Sequence, residues 1–171
     1  DSKALPDQWA ADKNVAWKTD VPGRGWSSPI VWGKKVFVTT VVNPAQAGLP
    51  KKGLYMGGEQ AAAPDAVLQW KVLCLDADSG KQLWDATVHE GKAATPTHIK
   101  NSYASETPVT DGGHVYAWFA NIGLFCCDMY GQKVWERRWP SYPMRDGWNT
   151  GTSPDSTSGR TRTSSGKSSV M

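Results

Sequence analysis

Three times along this 171-residue chain a tryptophan closes the same short frame: Asn14-Val15-Ala16-Trp17, Lys81-Gln82-Leu83-Trp84 and Gln132-Lys133-Val134-Trp135. Cys74-Leu75-Asp76-Ala77-Asp78-Ser79-Gly80 leads into Trp84, and Cys126-Cys127-Asp128-Met129-Tyr130-Gly131 leads into Trp135. An apolar strand, an Asp/Gly turn and a second strand ending on Trp therefore occur twice. Such an internal repeat constrains the fold more than any local propensity does. No unit can bury its apolar face alone, so each must stack on a copy of itself.

A second element keeps step with the first. Ser27-Ser28-Pro29-Ile30-Val31, Gly33-Lys34-Lys35 and Val36-Phe37-Val38 align with Glu106-Thr107-Pro108-Val109-Thr110, Asp111-Gly112-Gly113-His114 and Val115-Tyr116-Ala117. Gly beside Asp or Lys between two β-branched or aromatic runs predicts a tight antiparallel turn. Pro29 and Pro108 suit strand starts, where no ladder donor is needed. One unit is thus four short strands. From Pro29 to Gly80 the first unit runs 51 residues and from Pro108 to Gly131 the second runs 23, so the first holds a long loop, placed at 42–69.

Four-stranded units that end on a repeated aromatic predict β-propeller blades. Leu73-Cys74-Leu75-Asp76-Ala77-Asp78-Ser79-Gly80-Lys81-Gln82-Leu83-Trp84, together with Gly25-Trp26-Ser27-Ser28-Pro29, resembles the repeat of the quinoprotein-like (pyrroloquinoline-quinone-type) β-propellers, and the likeness runs from Trp9 to Pro154. The resemblance implies an all-β, partial propeller: about two four-stranded antiparallel blades plus a lone outer strand at 14–21 whose blade-mates would lie C-terminal. It leaves function open, because this blade builds quinone-dependent dehydrogenases, an outer-membrane assembly lipoprotein and other secreted proteins.

A propeller needs about four blades to close its ring. The chain is therefore expected to be a piece of a larger one, with residues 1–13 a lead-in and 14–154 the blade segment. From Asp155 to Ser169 there is no apolar side chain, so 155–171 is expected to be a disordered Ser/Thr-rich tail. A natural linker and a chain broken off after Pro154 both fit that text. Of the 19 basic residues three lie in the tail, and of the 16 acidic residues one does, which leaves the body almost neutral and argues against nucleic acid as a partner. No run approaches a membrane span. The resemblance implies a periplasmic or secreted bacterial protein, although no signal peptide is visible at Asp1.

Chemical motifs are sparse. Asp76-Ala77-Asp78-Ser79-Gly80 begins like a calcium loop, yet its twelfth position is Thr87 rather than a bidentate carboxylate, so a hairpin turn is expected. His89, His98 and His114 make no zinc pattern. Cys74 and Cys126 fall in strands and read as core. The resemblance invites comparison of Cys126-Cys127 with the vicinal disulfide of quinone-dependent alcohol dehydrogenases, but neighbouring strand residues point to opposite faces and do not bridge.

The remaining candidates sit in loops, where rigid scaffolds place their binding groups. Arg24, Trp26, Ser105, Glu106 and Trp148 precede the repeated small-residue-Pro step and are expected to face a ligand at one end of the central channel. Trp17, Trp84, Trp135, Gly80, Gly131, Pro29 and Pro108 are assigned to the structural repeat. The expectation is a non-catalytic binding or scaffold module without cofactor or metal, partnered by remaining blades or by another protein. The alternative is a fragment of a quinone- and calcium-dependent alcohol or sugar dehydrogenase, for which no acidic pair with Asn can be matched here.

Overall fold

The computed structural model describes residues 6–45, 60–140 and 151–154. Ten strands follow in order: β1 Ile30–Trp32, β2 Lys35–Val42, β3 Gln60–Ala61, β4 Leu68–Asp76, β5 Gln82–Gly91, β6 Thr97–His98, β7 Val109–Thr110, β8 His114–Phe119, β9 Gly123–Asp128 and β10 Lys133–Arg138. There is no helix among the described residues, and hence none long and apolar enough to cross a membrane. β1-β2-β4-β5 form one four-stranded antiparallel sheet and β7-β8-β9-β10 another. These are two blades of a partial propeller, each made by the paired hairpins that the repeat predicts.

Local sequence explains each blade. Pro29 and Pro108 stand one residue before β1 and β7. Gly33 and Gly112 turn the first hairpins with φ of 58° and 87°. In β8 burial alternates strictly, with Val115, Ala117 and Phe119 buried and His114, Tyr116 and Trp118 partly exposed, the period-2 pattern of a sheet covered chiefly on one face. β9 is buried along almost its whole length, as a central strand must be.

Both outer strands carry the same bulge. Trp84 pairs with Cys74 while Gln82 pairs with Leu75, so Leu83 is the extra residue. Trp135 pairs with Cys126 while Lys133 pairs with Cys127, so Val134 is extra. One added residue reverses the faces of everything beyond it. That shift brings Trp84 beside Phe37 and Trp135 beside Tyr116, with ring centroids 5.8 and 5.9 Å apart.

The core lies between the blades. Phe37, Val41, Trp70, Val72, Cys74 and Val88 of the first meet Val115, Ala117, Phe119, Phe125 and Cys127 of the second. Two faces that would each be wet alone are buried together, at about 25 cal/mol per Å² of apolar surface.

β2 and β4 grow into the predicted 42–69 loop and β5 runs to Gly91, because long antiparallel partners satisfy backbone groups that a loop would leave to water. The excursion after β2 and the one after β5 then join through β3 and β6, with Gln60 opposite His98 and Ala61 opposite Thr97. Residues 15–21 form no strand, so the lone outer strand expected at 14–21 is not found: no neighbouring strand ladders with the segment, which is tied instead by Trp17 and Thr19 to the Ala77 and Gly80 carbonyls. Trp148 and the tail at 155–171 lie outside the described residues.

Candidate functional site

The repeated tryptophans are joints between successive units. Trp17 donates its indole N–H to the Ala77 carbonyl at 2.9 Å, and its ring covers Gly80 so closely that a Cβ there would lie 2.5 Å from Trp17 Cδ2. Trp84 repeats this one unit on. Its Nε1–H donates to the Met129 carbonyl at 3.1 Å, and a Cβ on Gly131 would lie 2.8 Å from Trp84 Cδ2. Gly80 and Gly131 have φ of 72° and 90°, so backbone and space both demand glycine. The acceptor in each case is the residue after a turn aspartate. Asp76 accepts from Ser79, and Asp128 accepts the backbone N–H groups of Tyr130 and Gln132. Hydrogen bonding to these turn groups holds both carboxyls below the usual range.

Trp135 is the third copy and has no such joint among the described residues. It is 39 % exposed and rests on Tyr116. The surface around it is aromatic, with Trp118 and Trp139 meeting edge to face at 5.3 Å.

A second joint was not legible in the repeat text. Trp32, at the end of β1, covers Gly112 in the corresponding turn of the next blade, where a Cβ would lie 2.6 Å from Trp32 Cε2. The second unit has Asp111 where the first has Trp32, so alignment of the copies hides it. The available signal was positional: a lone Trp directly before a turn Gly whose counterpart in the next unit is also Gly. Lys35 adds a cation to the same interface, donating to the Met129 carbonyl at 2.6 Å and lying over the Tyr130 ring.

The small-residue-Pro steps form a chain of their own. Ser28 N–H donates to Thr107 Oγ1 at 3.1 Å, and Thr107 N–H donates to Ser153 Oγ at 3.0 Å. Ser28, Thr107 and Ser153 each precede a proline, so three consecutive copies of the step lie side by side.

Of the five candidate ligand-facing residues, the four that are described, Arg24, Trp26, Ser105 and Glu106, lie around this chain unevenly. Trp26 N–H donates to the Ala104 carbonyl at 2.9 Å, and the residue as a whole is 49 % exposed. Arg24 exchanges both backbone bonds with Val41. Ser105 Oγ is held by Asn101 and Ser102. Glu106 is buried, its carboxylate accepting from Ser105 N and Ala120 N at 3.2 and 3.4 Å. The fold therefore brings Trp26, Ser105 and Glu106 to one neighbourhood, where the last two serve as internal ties. A small cleft lined by Trp70, Ser102, Tyr103, Glu106, Ala120 and Asn121 lies beneath them.

Burial sets the thiol chemistry. Cys74 and Cys126 are pushed up to about 11 and Cys127 to about 12, and all three are free thiols, so they are protonated core groups rather than nucleophiles. Tyr116 is pushed up to about 12 by burial and by donating to Asp111 at 2.8 Å. Among the described residues no three His, Cys, Asp or Glu side chains gather as a metal site.

Residues 42–153 match the family model described as outer membrane protein assembly factor BamB, which is built from the pyrroloquinoline-quinone-type repeat. No curated protein matches the chain.

Proposed function

The chain belongs to the pyrroloquinoline-quinone-type repeat family described as outer membrane protein assembly factor BamB, and on that premise we propose that it acts as a non-catalytic binding or scaffold module. Its partner is a further blade, either in a longer chain or on another protein. Trp135 carries this reading. It presents the group that Trp17 and Trp84 use to grip a neighbouring unit, on an aromatic face whose counterpart in the first blade is covered by the second. The family's printed description supports a periplasmic or secreted setting and a protein partner. Trp26, half exposed beside the hydroxyl-Pro chain, is the candidate contact for any ligand at that end.

Two measurements test the proposal. In analytical ultracentrifugation the chain is expected to self-associate as concentration rises, and Trp135→Lys is expected to suppress this. A concentration-independent monomer in which the substitution changes nothing overturns it. In calorimetry, pyrroloquinoline quinone with calcium is expected to give no saturable one-to-one complex. Such a complex would favour the dehydrogenase reading.

A further inference from the structure

We infer that His89 and Arg138 form a proton-sensitive latch across the outer edges of the two blades. The imidazole of His89, on β5, lies 5.0 Å from the Trp70 ring and stacks at 6.4 Å on Phe125 of the facing blade. Arg138, on β10, reaches back with Nη1 3.0 Å from His89 Nδ1 and Cζ 5.4 Å from the centre of the same Phe125 ring. A guanidinium is always protonated and only donates. His89 must therefore accept at Nδ1, which fixes the neutral tautomer with its proton on Nε2. Protonation of Nδ1 deletes the acceptor and sets two cations against each other at that distance.

The surrounding charges make the histidine the titrating member. Glu136, beside Arg138 on β10, accepts from Arg138 Nε at 2.8 Å and from Lys133 Nζ at 2.7 Å. Those two cations hold its carboxyl down at about 2, so it stays ionised throughout the range in which an imidazole changes charge. Lys133 also donates to the Val88 carbonyl at 3.3 Å, so two of the three cations of β10, Lys133 and Arg138, cross to β5. Glu90, next to His89, is held by Gln69 of β4 at 2.6 Å. Desolvation first, then Arg138, depresses the imidazole below its ordinary 6.5.

The sign follows. An imidazole depressed in the fold leaves the latch closed above 6.5. As pH falls below that value the unfolded or parted state takes up the proton more readily, and the bond itself is lost at the lower, folded value. Opening is local, because the joints at Trp84 and Trp32 do not titrate.

The test is imidazole-resolved NMR on the full chain with amide exchange at β5 and β10. His89 is expected to titrate below the ordinary histidine value with Nδ1 unprotonated. Protection of the amides around His89 and Arg138 is expected to fall across the same window, about tenfold for each unit by which the imidazole is depressed. His89→Gln, which retains an acceptor and cannot titrate, is expected to abolish the step. Arg138→Gln is expected to move the His89 titration upward. A normal His89 titration with Nδ1 protonated overturns the latch, as does an exchange step that survives in His89→Gln.

Discussion

The indole of Trp84 lies against Gly131 of the next blade with no room for a methyl group between them, and its N–H reaches the Met129 carbonyl two residues earlier. Gly131→Ala must therefore both strain a backbone at φ 90° and displace the ring. Left-handed strain of about 1–2 kcal/mol and overpacking of about 1–3 kcal/mol act together. Gly80→Ala is expected to behave alike under Trp17, whereas Gly33→Ala, with φ 58° and open space around it, meets the backbone strain alone. Urea midpoints of the three variants check the order.

Truncation of the tryptophans is expected to grade by the joint each one makes. Trp84→Ala removes a ring packed on Phe37 and Gly131 together with a bond. Because the ring is partly exposed, its cost is expected at or below the lower end of the about 3–5 kcal/mol seen for buried aromatics. Trp17→Ala is expected to cost less, because it removes one side-chain bond to Ala77 and leaves that of Thr19 to Gly80. Trp135→Ala, which loses its contact with Tyr116 and no joint, is expected to cost least in urea titrations.

Acid is expected to loosen β10 in a window of its own. Glu136 has an ordinary value of 4.5 and is held at about 2 by Arg138 and Lys133. Its depressed value means that the stabilising bonds are complete above 4.5 and are lost as pH falls from there through about 2. Glu136→Gln is expected to flatten stability against pH in that range and, because the Glu136 charge raises the His89 imidazole, to move the imidazole step to lower pH. Parallel urea titrations at stepped pH read both.

The hydroxyl-Pro chain predicts a specific pair of outcomes at Thr107. Thr107→Val removes the acceptor for Ser28 N–H, and at this exposed site the loss is expected within about 0.5–1.5 kcal/mol. Thr107→Ser is expected to retain the bond. Amide exchange at Ser28 distinguishes them directly.

Much of the fold was legible because a repeat states its own packing rule. The Pro-hairpin-turn-Trp order determined the blades, their antiparallel hairpins and the glycine turns, since strand alternation and positive φ are written in residue type. The bulges at Leu83 and Val134 were not legible. A bulge leaves the text of a strand unchanged, and only the register against Cys74 and Cys126 reveals it. The candidate site divides likewise: the sequence marked Trp26, Ser105 and Glu106 by their shared position before Pro, but burial alone showed that the Glu106 carboxylate ties two backbone segments together.

By itself the sequence determined what each unit is, because hydrophobic period, turn chemistry and a closing tryptophan are local properties of one copy. Only tertiary structure decided how the units meet. Trp32 against Gly112, Arg138 against His89 and the chain of Ser28, Thr107 and Ser153 join residues 80, 49, 79 and 46 positions apart, and their partners are chosen by the distance between two blades in space. That spacing arises from burying the two inner faces together, a free-energy gain shared by the whole interface and encoded at no single position.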